Sequence, residues 1–474
     1  MEDQKQTVST GGLLRGKMDY NDFINTKTQL SGKYGFEPTF MPDAMFPFQK
    51  HLTAWALEKG RGLLLEDCGL GKSVQSLTWA QNVVEHTNRP VIILTPLAVS
   101  YQFQAEGQKF GIDCEVSRDG KFSKKIVVTN YQRLHYFNCD DFVGCVCDES
   151  GCIKHFKGVL QRQVTTFMRK MKYRLLCTAT AAPNDYPEFG TSSEALGELG
   201  YMDMLAKYFR NDQNTCDIAR KWASSGGGPP KYRFKRHAEP DFWKWVSSWA
   251  RAVRKPSDMG FDDNGFVLPP LIETQYEIKS DRPFTGKLFI DEAVGMREEK
   301  QELAATVNER CEKAKELVDN GKQSVIWCQF NYEGDLLEKI IPGAVQVSGA
   351  NSDEEKEARL IDFSKGNIEN LITKAKIAQF GMNWQNCSHS VSFPSHSWES
   401  YYQTIRRFWR FGQKNPVNAD MITTPALTRV LKNLQNKAKK ADVMFNEITK
   451  YMNDPEAIVQ SVIQQKIEVP IWIR

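Results

Sequence analysis

Short apolar runs alternate with longer amphipathic stretches over residues 62–180. Runs of this length, rich in valine, isoleucine and leucine, are typical of strands buried on both faces of a parallel sheet. Helical patterns lie between most of them, as in Ser73–Val84 and Val99–Phe110. Strands that alternate with helices predict a doubly wound α/β domain. The predicted strands are Gly62–Leu65, Val91–Thr95, Ile126–Thr129, Gly144–Cys147 and Arg174–Thr178.

A second alternating series follows a long helical pattern at Arg297–Asn320. Helices are also predicted at Tyr401–Phe411 and at Leu427–Met452, where apolar residues recur on one side of the helix. The predicted strands of this series are Ser324–Phe330, Ala344–Ser348, Asn370–Thr373, Ser390–Phe393 and Asn418–Ile422. The predicted fold class is therefore α/β, with two tandem doubly wound parallel-sheet lobes and small helical insertions.

The strongest break in these patterns is the run Ser-Ser-Gly-Gly-Gly-Pro-Pro at residues 224–230. The sequence beyond it, Lys231–Lys255, mixes tryptophan with basic residues. This break and the two series divide the chain into five predicted parts. They are an N-terminal extension at 1–40, a first lobe at 41–225, a linker region at 226–270, a second lobe at 271–425 and a C-terminal helical extension at 426–474.

Composition narrows the class of protein but not its function. The 474 residues are enough for two domains with separate cores, and 41% hydrophobic with 25% charged residues is ordinary for a globular protein. A net charge of +4 neither requires nor excludes a polyanionic partner. Since no apolar run has membrane-spanning length and the N-terminus has no secretory core, we expect a cytoplasmic protein that is not integral to a membrane. The 11 cysteines are scattered, which favours buried thiols over a disulfide framework or a zinc site.

The first candidate site is a glycine turn between a predicted strand and a predicted helix. The strand ends with the apolar run Leu63–Leu65, and the turn places Gly69 and Gly71 directly before Lys72 and Ser73. Glycines let the backbone approach an anion closely, and the helix start offers free N–H groups and a positive dipole end. In such a phosphate-binding loop, Lys72 would reach the β- and γ-phosphates and the Ser73 hydroxyl would bind Mg²⁺.

The first position of the usual phosphate-loop pattern is glycine, and here it is Glu66. A glycine turn with a solvated lysine is the alternative interpretation. Other residues must therefore decide between a nucleotide site and an ordinary turn. We refer to Glu66–Ser73 as the phosphate loop.

Three further groups of side chains bear on that decision. Asp148 and Glu149, here called the acidic pair, end a buried strand, where an ATPase holds Mg²⁺ with one acid and orients water with its neighbour. Hydroxyls at the end of another strand lie where open α/β sheets bind ligands. Two arginines three residues apart on one helical face, here called the arginine pair, have the arrangement of arginine fingers. Taken singly, each group also fits a solvated or structural role. The hydroxyls are Thr178 and Thr180, and the arginine pair is Arg407 and Arg410.

In their order and spacing, these motifs resemble those of superfamily-two helicases, specifically the Swi/Snf-type branch. The phosphate loop is similar to that branch's Asp-Glu-x-Gly-x-Gly-Lys-Thr, which also lacks the first glycine. The pattern Gln-x-x-x-Arg-x-x-Arg-x-Gly-Gln is matched at every position by Gln403–Gln413. The resemblance covers about residues 45–424, and the compact chain looks like short bacteriophage and prophage members. Other matching stretches are Met45–Gln49, Leu94–Leu97, Val128–Gln132, the acidic pair, Thr178–Thr180 with Pro183–Asn184, Arg254–Lys255 with Leu268–Pro270, and Ile372–Ala375 with Gly381–Trp384.

This resemblance implies two RecA-like lobes that close on one ATP and couple its hydrolysis to movement along DNA. It implies ATP and Mg²⁺ as cofactors, with Ser73 and Asp148 at the metal. The implied catalytic residues are Lys72, the acidic pair and the arginine pair, coupled through Thr178 and Thr180. Nucleotide contacts are implied for Gln49, Asp67, Cys68, Gly69, Leu70, Gly71, Lys72, Ser73 and Gln403, and DNA contacts for Pro96, Asn130, Tyr131, Gln132, Thr373 and Lys374.

The implied partner is DNA, expected to be duplex and bound without sequence preference, in a bacterial or phage-infected cell. Protein partners of a replication, repair or restriction system are also compatible. Three alternatives stay open: an RNA helicase, the motor subunit of a restriction or repair complex, and a nucleotide-dependent DNA-binding protein without turnover. We favour packing against the first lobe for the tryptophans of Lys231–Lys255 and leave its charges open.

The chain departs from the family pattern at two places. Ser150-Gly151 follows the acidic pair, so its coupling to Thr178 and Thr180 is expected to differ. Lys376–Phe380 interrupts the usual glycine-rich stretch of the fifth motif.

Overall fold

The computed structural model describes residues 34–96, 99–180, 182, 184–211, 232–278, 296–378 and 383–453. Two separate parallel sheets, each flanked by helices, organise these residues. The prediction of an α/β protein with two tandem parallel-sheet lobes is confirmed. The predicted break at 224–230, Lys231, Pro183 and Gly381 lie outside the described residues.

Lobe 1 is built on a seven-stranded sheet with the order β3-β4-β2-β5-β6-β1-β9. Every pairing in it is parallel. Its strands are β1 (Arg61–Glu66), β2 (Val91–Thr95), β3 (Cys114–Val116), β4 (Ile126–Asn130), β5 (Gly144–Asp148), β6 (Tyr173–Thr178) and β9 (Ala250–Val253). Its helices are α1 (Pro47–Lys59), α2 (Lys72–Thr87), α3 (Ser100–Phe110), α4 (Val159–Arg169), α5 (Phe189–Leu196), α6 (Tyr201–Tyr208) and α7 (Ala238–Trp249). Two further short strands, β7 (Phe209–Asn211) and β8 (Tyr232–Phe234), pair antiparallel with each other.

The boundary predicted at residue 225 does not coincide with the edge of lobe 1. Strand β9 pairs with β1, and α7 buries Trp243 and Trp249 completely in the lobe 1 core. Residues 232–253, which were predicted to belong to a linker at 226–270, therefore belong to lobe 1. The prediction that the tryptophans pack against the first lobe is confirmed. Strand β9 was not predicted because it has only four residues and one of them is the charged Arg251. The Arg251 guanidinium lies 4.3 Å from the centroid of the Trp55 ring.

Lobe 2 is built on a six-stranded sheet with the order β10-β15-β14-β11-β13-β12, again with parallel pairings. Its strands are β10 (Leu271–Glu277), β11 (Ser324–Cys328), β12 (Val345–Val347), β13 (Asn370–Lys374), β14 (His389–Ser392) and β15 (Val417–Thr423). Its helices are α8 (Met296–Ala305), α9 (Val307–Val318), α10 (Asn331–Ile340), α11 (Asp353–Ser364), α12 (Ala375–Ala378) and α13 (Trp398–Ile405). The single long helix predicted at Arg297–Asn320 is thus two helices.

The C-terminal helix α14 (Thr428–Met452) connects the two lobes. Near its start, Val430 and Leu434 pack with Leu303 of lobe 2. Farther along, Phe445 and Ile448 belong to the lobe 1 core beside α7 and β9. The predicted amphipathic helix is confirmed, and its apolar side is shared between the lobes.

Among the residues that the structure describes, no helix combines the length and apolar character needed to cross a membrane.

Candidate functional site

A cleft of about 440 Å³ lies between the lobes, at the carboxyl ends of β1 and β5. Lobe 1 supplies the phosphate loop and the acidic pair, and lobe 2 supplies the residues that follow α13. Ligands of open α/β sheets bind at this end of the strands. Lining residues that the sequence analysis had selected are Gln49, Cys68, Gly69, Gly71, Lys72, Ser73, Asp148, Glu149, Gln403, Arg407 and Arg410.

The phosphate loop needs its glycines for conformation and for space. Gly69 and Gly71 have φ angles of 92° and 89°, in the left-handed region that favours glycine. A Cβ on Gly69 would lie 3.1 Å from the backbone nitrogen of Phe411, so lobe 2 packs directly on the loop. Gly71 is the N-cap of α2, whose first N–H groups have no partner within a helix. The loop therefore presents backbone donors to the cleft beside a segment of lobe 2.

Lys72 is a fixed positive charge at the start of α2. Its Nζ donates to the carbonyl oxygens of Glu66 at 2.9 Å and of Asp67 at 3.1 Å. Burial alone would lower the pKa of Lys72, but the Cys68 thiol and the carboxylates of Glu149, Glu66 and Asp148 together raise it. Lys72 consequently stays charged in the cleft, available to anionic oxygen.

The acidic pair ends β5 in a buried, strained position. Asp148 accepts a hydrogen bond from Thr95 Oγ1 at 3.2 Å, while burial and the neighbouring Glu149 raise its pKa to about 7. Glu149 has a φ of 51°, which is uncommon for a residue with a side chain. Burial raises the pKa of Glu149, and Lys72 opposes the shift. Among the described residues, Glu149 Oε2 has no hydrogen-bond partner.

The arginine pair lies just beyond α13 and faces the acidic pair. Arg407 is 4% exposed, and burial together with Arg410 lowers its pKa to about 9. Burial also lowers the pKa of Arg410, whereas Cys68 and two glutamates raise it. Within the described residues, Arg410 Nε and Gln403 Oε1 have no hydrogen-bond partners. Buried polar atoms seldom go unpaired. These two atoms of lobe 2, together with Glu149 Oε2 of lobe 1, therefore indicate a polar ligand between the lobes.

Asp67 is held by lobe 2, which sequence reasoning did not foresee. Its carboxylate accepts from Arg406 Nε at 2.8 Å and forms an ion pair with the same guanidinium. It also accepts from the Tyr402 hydroxyl and from the N–H of Cys68. The side chain of Asp67, expected to contact the nucleotide, instead joins the phosphate loop to lobe 2 in this arrangement.

Gln49 ties α1 to the phosphate loop. Its Oε1 accepts from the Phe46 N–H at 3.0 Å, and its Nε2 donates to the Leu70 carbonyl at 2.8 Å. Beside it, the rings of Phe46, Phe266 and Phe411 form an aromatic cluster at the cleft, with centroids 4.7 to 6.1 Å apart. Phe46 belongs to lobe 1, Phe266 lies between β9 and β10, and Phe411 belongs to lobe 2, so the cluster connects the two lobes. No short sequence motif predicted it.

Three of the residues expected to contact DNA have side chains buried in the protein. The Tyr131 hydroxyl donates to the Asp148 carbonyl, Asn130 Oδ1 accepts from the Arg133 N–H, and Thr373 Oγ1 donates to the Val347 carbonyl. Each of these three side chains thus makes a hydrogen bond within the protein, and the DNA contacts expected of them stay a prediction. Accessible surface is retained by Pro96, Gln132 and Lys374.

The hydroxyls predicted to couple the site lie next to the acidic pair. The Thr180 N–H donates to Thr178 Oγ1 at 3.0 Å, and Thr180 Oγ1 donates to Glu399 of lobe 2 at 3.3 Å. The structure therefore brings both threonines to the lobe interface, together with a carboxylate that the sequence analysis had not selected.

No protein-family model matches this chain, and no curated protein matches it. Among solved structures, it is similar to the SWI2/SNF2 ATPase core of Sulfolobus solfataricus in complex with dsDNA. The match covers 90% of this chain and 99% of that chain, with 18% sequence identity and a TM-score of 0.40. At that identity and TM-score, the function of this chain has to be argued from its own residues.

Proposed function

We propose that this protein is a DNA-dependent ATPase that couples ATP hydrolysis between its lobes to movement along DNA. One observation carries the proposal. Unpartnered atoms of Glu149, Gln403 and Arg410, from two lobes, line one cleft with the phosphate loop. Such a cleft suits a substrate that both lobes must touch, and closing the lobes completes the site.

The residues present fit ATP and Mg²⁺. The phosphate loop offers backbone donors and Lys72 to the phosphates, while the Ser73 hydroxyl and the Asp148 carboxylate are hard oxygen ligands of the kind Mg²⁺ prefers. When bound, the metal would neutralise charge on the phosphate oxygens. Glu149 would orient the attacking water and accept its proton, and its raised pKa suits a base. The arginine pair would stabilise negative charge that develops at the γ-phosphate.

Movement along DNA would follow from alternate opening and closing of the lobes. We expect contacts to duplex phosphates, hence little sequence preference. The accessible positions Gln132, Lys374 and Pro96 support contacts on both lobes. The protein would act in the cytoplasm of a bacterial or phage-infected cell, with partners from a replication, repair or restriction system.

Phosphate release with duplex DNA, single-stranded DNA, RNA or no nucleic acid tests the proposal. Wild type should be stimulated most by duplex DNA. Lys72→Ala and Glu149→Gln should lose at least about 100-fold in kcat, because each removes a charge from the reacting centre. Lys121→Ala, with a side chain 90% exposed, is the matched surface control.

Full activity of either cleft variant would contradict the proposal. Stronger stimulation by RNA would favour an RNA helicase, and nucleotide-dependent DNA binding without phosphate release would favour the non-hydrolysing alternative. A strand-displacement assay on the same proteins separates unwinding from translocation alone.

A further inference from the structure

Glu399 is an acidic residue of lobe 2 whose side chain contacts lobe 1 near the acidic pair. It lies in the first turn of α13, whose N-cap Ser397 accepts from the Ser400 N–H. Its Oε1 accepts from Thr180 Oγ1 at 3.3 Å, and its other oxygen forms an ion pair with Lys154 Nζ. The Lys154 and Glu399 side chains are only 12% and 16% exposed. The pair is therefore mostly shielded from solvent, unlike an ordinary surface ion pair.

The two lobe 1 partners of Glu399, which are Thr180 and Lys154, are each connected to Glu149. Thr180 donates its N–H to Thr178 Oγ1, and Thr178 interacts with Glu149 from the end of β6, the strand that pairs with β5. Lys154 follows the single 3-10 turn Ser150–Ile153, which has Glu149 as its N-cap. A displacement of Glu399 would thus reach Glu149 through the threonines and through the turn.

The absence of a side chain at Gly151 leaves room for Glu399 beside Thr180. A Cβ on Gly151 would lie 3.0 Å from Glu399 Oε1 and 3.2 Å from the Thr180 carbonyl, so a side chain there would crowd both. Ser150-Gly151 is also one of the two places where the chain departs from the pattern that it resembles. A glycine at 151 is accordingly explained by the approach of Glu399.

We propose that Glu399 and Lys154 form a positioning pair that orients Glu149 for catalysis only when the lobes are closed. The inference rests on the proposed function, since it gives Glu149 the role of base. Neither residue lines the cleft, so both act through Thr178, Thr180 and the 3-10 turn. The pair would let lobe 2 control the base independently of its arginines.

The charge of Glu399 can be removed with little change in its packing. Glu399→Gln keeps the shape and the hydrogen-bond acceptor but removes the charge. A loss of kcat without a loss of ATP affinity would then indicate a misplaced base, which a purely structural contact would not separate.

The experiment compares wild type with Glu399→Gln, Lys154→Met, their double variant and the swap of Lys154→Glu with Glu399→Lys. Phosphate release is measured at saturating ATP and duplex DNA, and ATP affinity is measured at equilibrium. We expect each single change to lower kcat about 10- to 100-fold, as for a misplaced catalytic group, with ATP affinity within about twofold. The double variant should be no worse than the poorer single one, and the swap should recover part of the loss.

Lys440→Ala is the matched control, because Lys440 of α14 pairs with Asp185 of lobe 1 and both side chains are far more exposed. It should leave kcat and ATP affinity unchanged. An active wild type with an unaltered Glu399→Gln variant overturns the positioning pair alone. Equal losses in kcat and ATP affinity, or additive losses in the double variant, also overturn it. A wild type without DNA-dependent turnover overturns both this inference and the proposed function.

Discussion

Arg406→Ala should open the cleft at the phosphate loop without unfolding either lobe. Arg406 and Asp67 are 5% and 8% exposed, and burial with the nearby Arg410 lowers the pKa of Arg406 to about 9. Truncating the arginine leaves a carboxylate without its cation, and breaking a buried pair in this way costs about 3–5 kcal/mol. Asp67 keeps two donors, Tyr402 and the Cys68 N–H, so we expect a loss near the lower limit, about 3 kcal/mol.

The affected equilibrium is local opening, because Asp67 regains water once lobe 2 moves off the loop. A loss of about 3 kcal/mol corresponds to a change of roughly 150-fold in that equilibrium. Amide hydrogen exchange measures it directly as the opening free energy of individual segments. Faster exchange should be confined to residues 66–71 and 402–411, with the sheet interiors unchanged.

A double-mutant cycle of Asp67→Asn and Arg406→Ala separates the pair from its surroundings. We expect a coupling free energy of at least about 1.5 kcal/mol, as measured for close charge pairs. Tyr402→Phe, which removes one hydrogen bond, should cost only about 1 kcal/mol. Lys440→Ala, at an ion pair with 49% and 42% exposed partners, should cost less than about 1 kcal/mol. Additivity within about 0.5 kcal/mol at Asp67 and Arg406 would refute the reasoning.

Three further outcomes are expected. The pKa of Asp148 is about 7 folded, against about 4 unfolded. Its stabilising contribution is therefore full below pH 4 and lost as the pH rises to 7, so Asp148→Asn should raise the free energy of unfolding at pH 8 by up to about 4 kcal/mol and leave it unchanged at pH 4. Trp243→Ala should cost about 3–5 kcal/mol in chemical denaturation, because that side chain is fully buried, whereas the half-exposed Tyr136→Ala should stay within about 0.5 kcal/mol. DNA affinity should fall linearly on a log–log salt plot, and Lys374→Ala should reduce the slope by about one; an unchanged slope would argue against a phosphate contact.

The buried strands and the phosphate loop were predictable because their signals are local. A strand such as β2 is apolar at nearly every position, and the turn before Lys72 contains its two glycines within three residues. The order of the motifs then predicted which strand ends carry the acidic pair and the threonines. Periodicity and spacing are sufficient for such features.

The edges of the sheets were not predictable in the same way. Strand β10 is largely exposed at the edge of the lobe 2 sheet, and its Ile-Glu-Thr-Gln core has no continuous apolar run. Strand β9 is short and contains a cationic side chain that packs on a tryptophan ring. In both cases tertiary contacts override a weak local pattern.

The contacts between the lobes could not be predicted from any short stretch of the sequence. Asp67 and Arg406 are 339 residues apart, and Thr180 and Glu399 are 219 apart. Arg406 and Arg407 are adjacent, yet one holds the phosphate loop and the other faces the acidic pair. Only the packing of lobe 2 on lobe 1 assigns each its place.

The most direct test of the central claim is the turnover of Arg407→Ala. The claim is that lobe 2 completes the active site formed by lobe 1. At saturating ATP and duplex DNA, kcat should fall by about 10³-fold or more, which is the range for removal of an arginine finger. ATP affinity, measured in parallel, should change only a few-fold, because Lys72 and the phosphate loop belong to lobe 1. A kcat close to that of wild type would contradict the account.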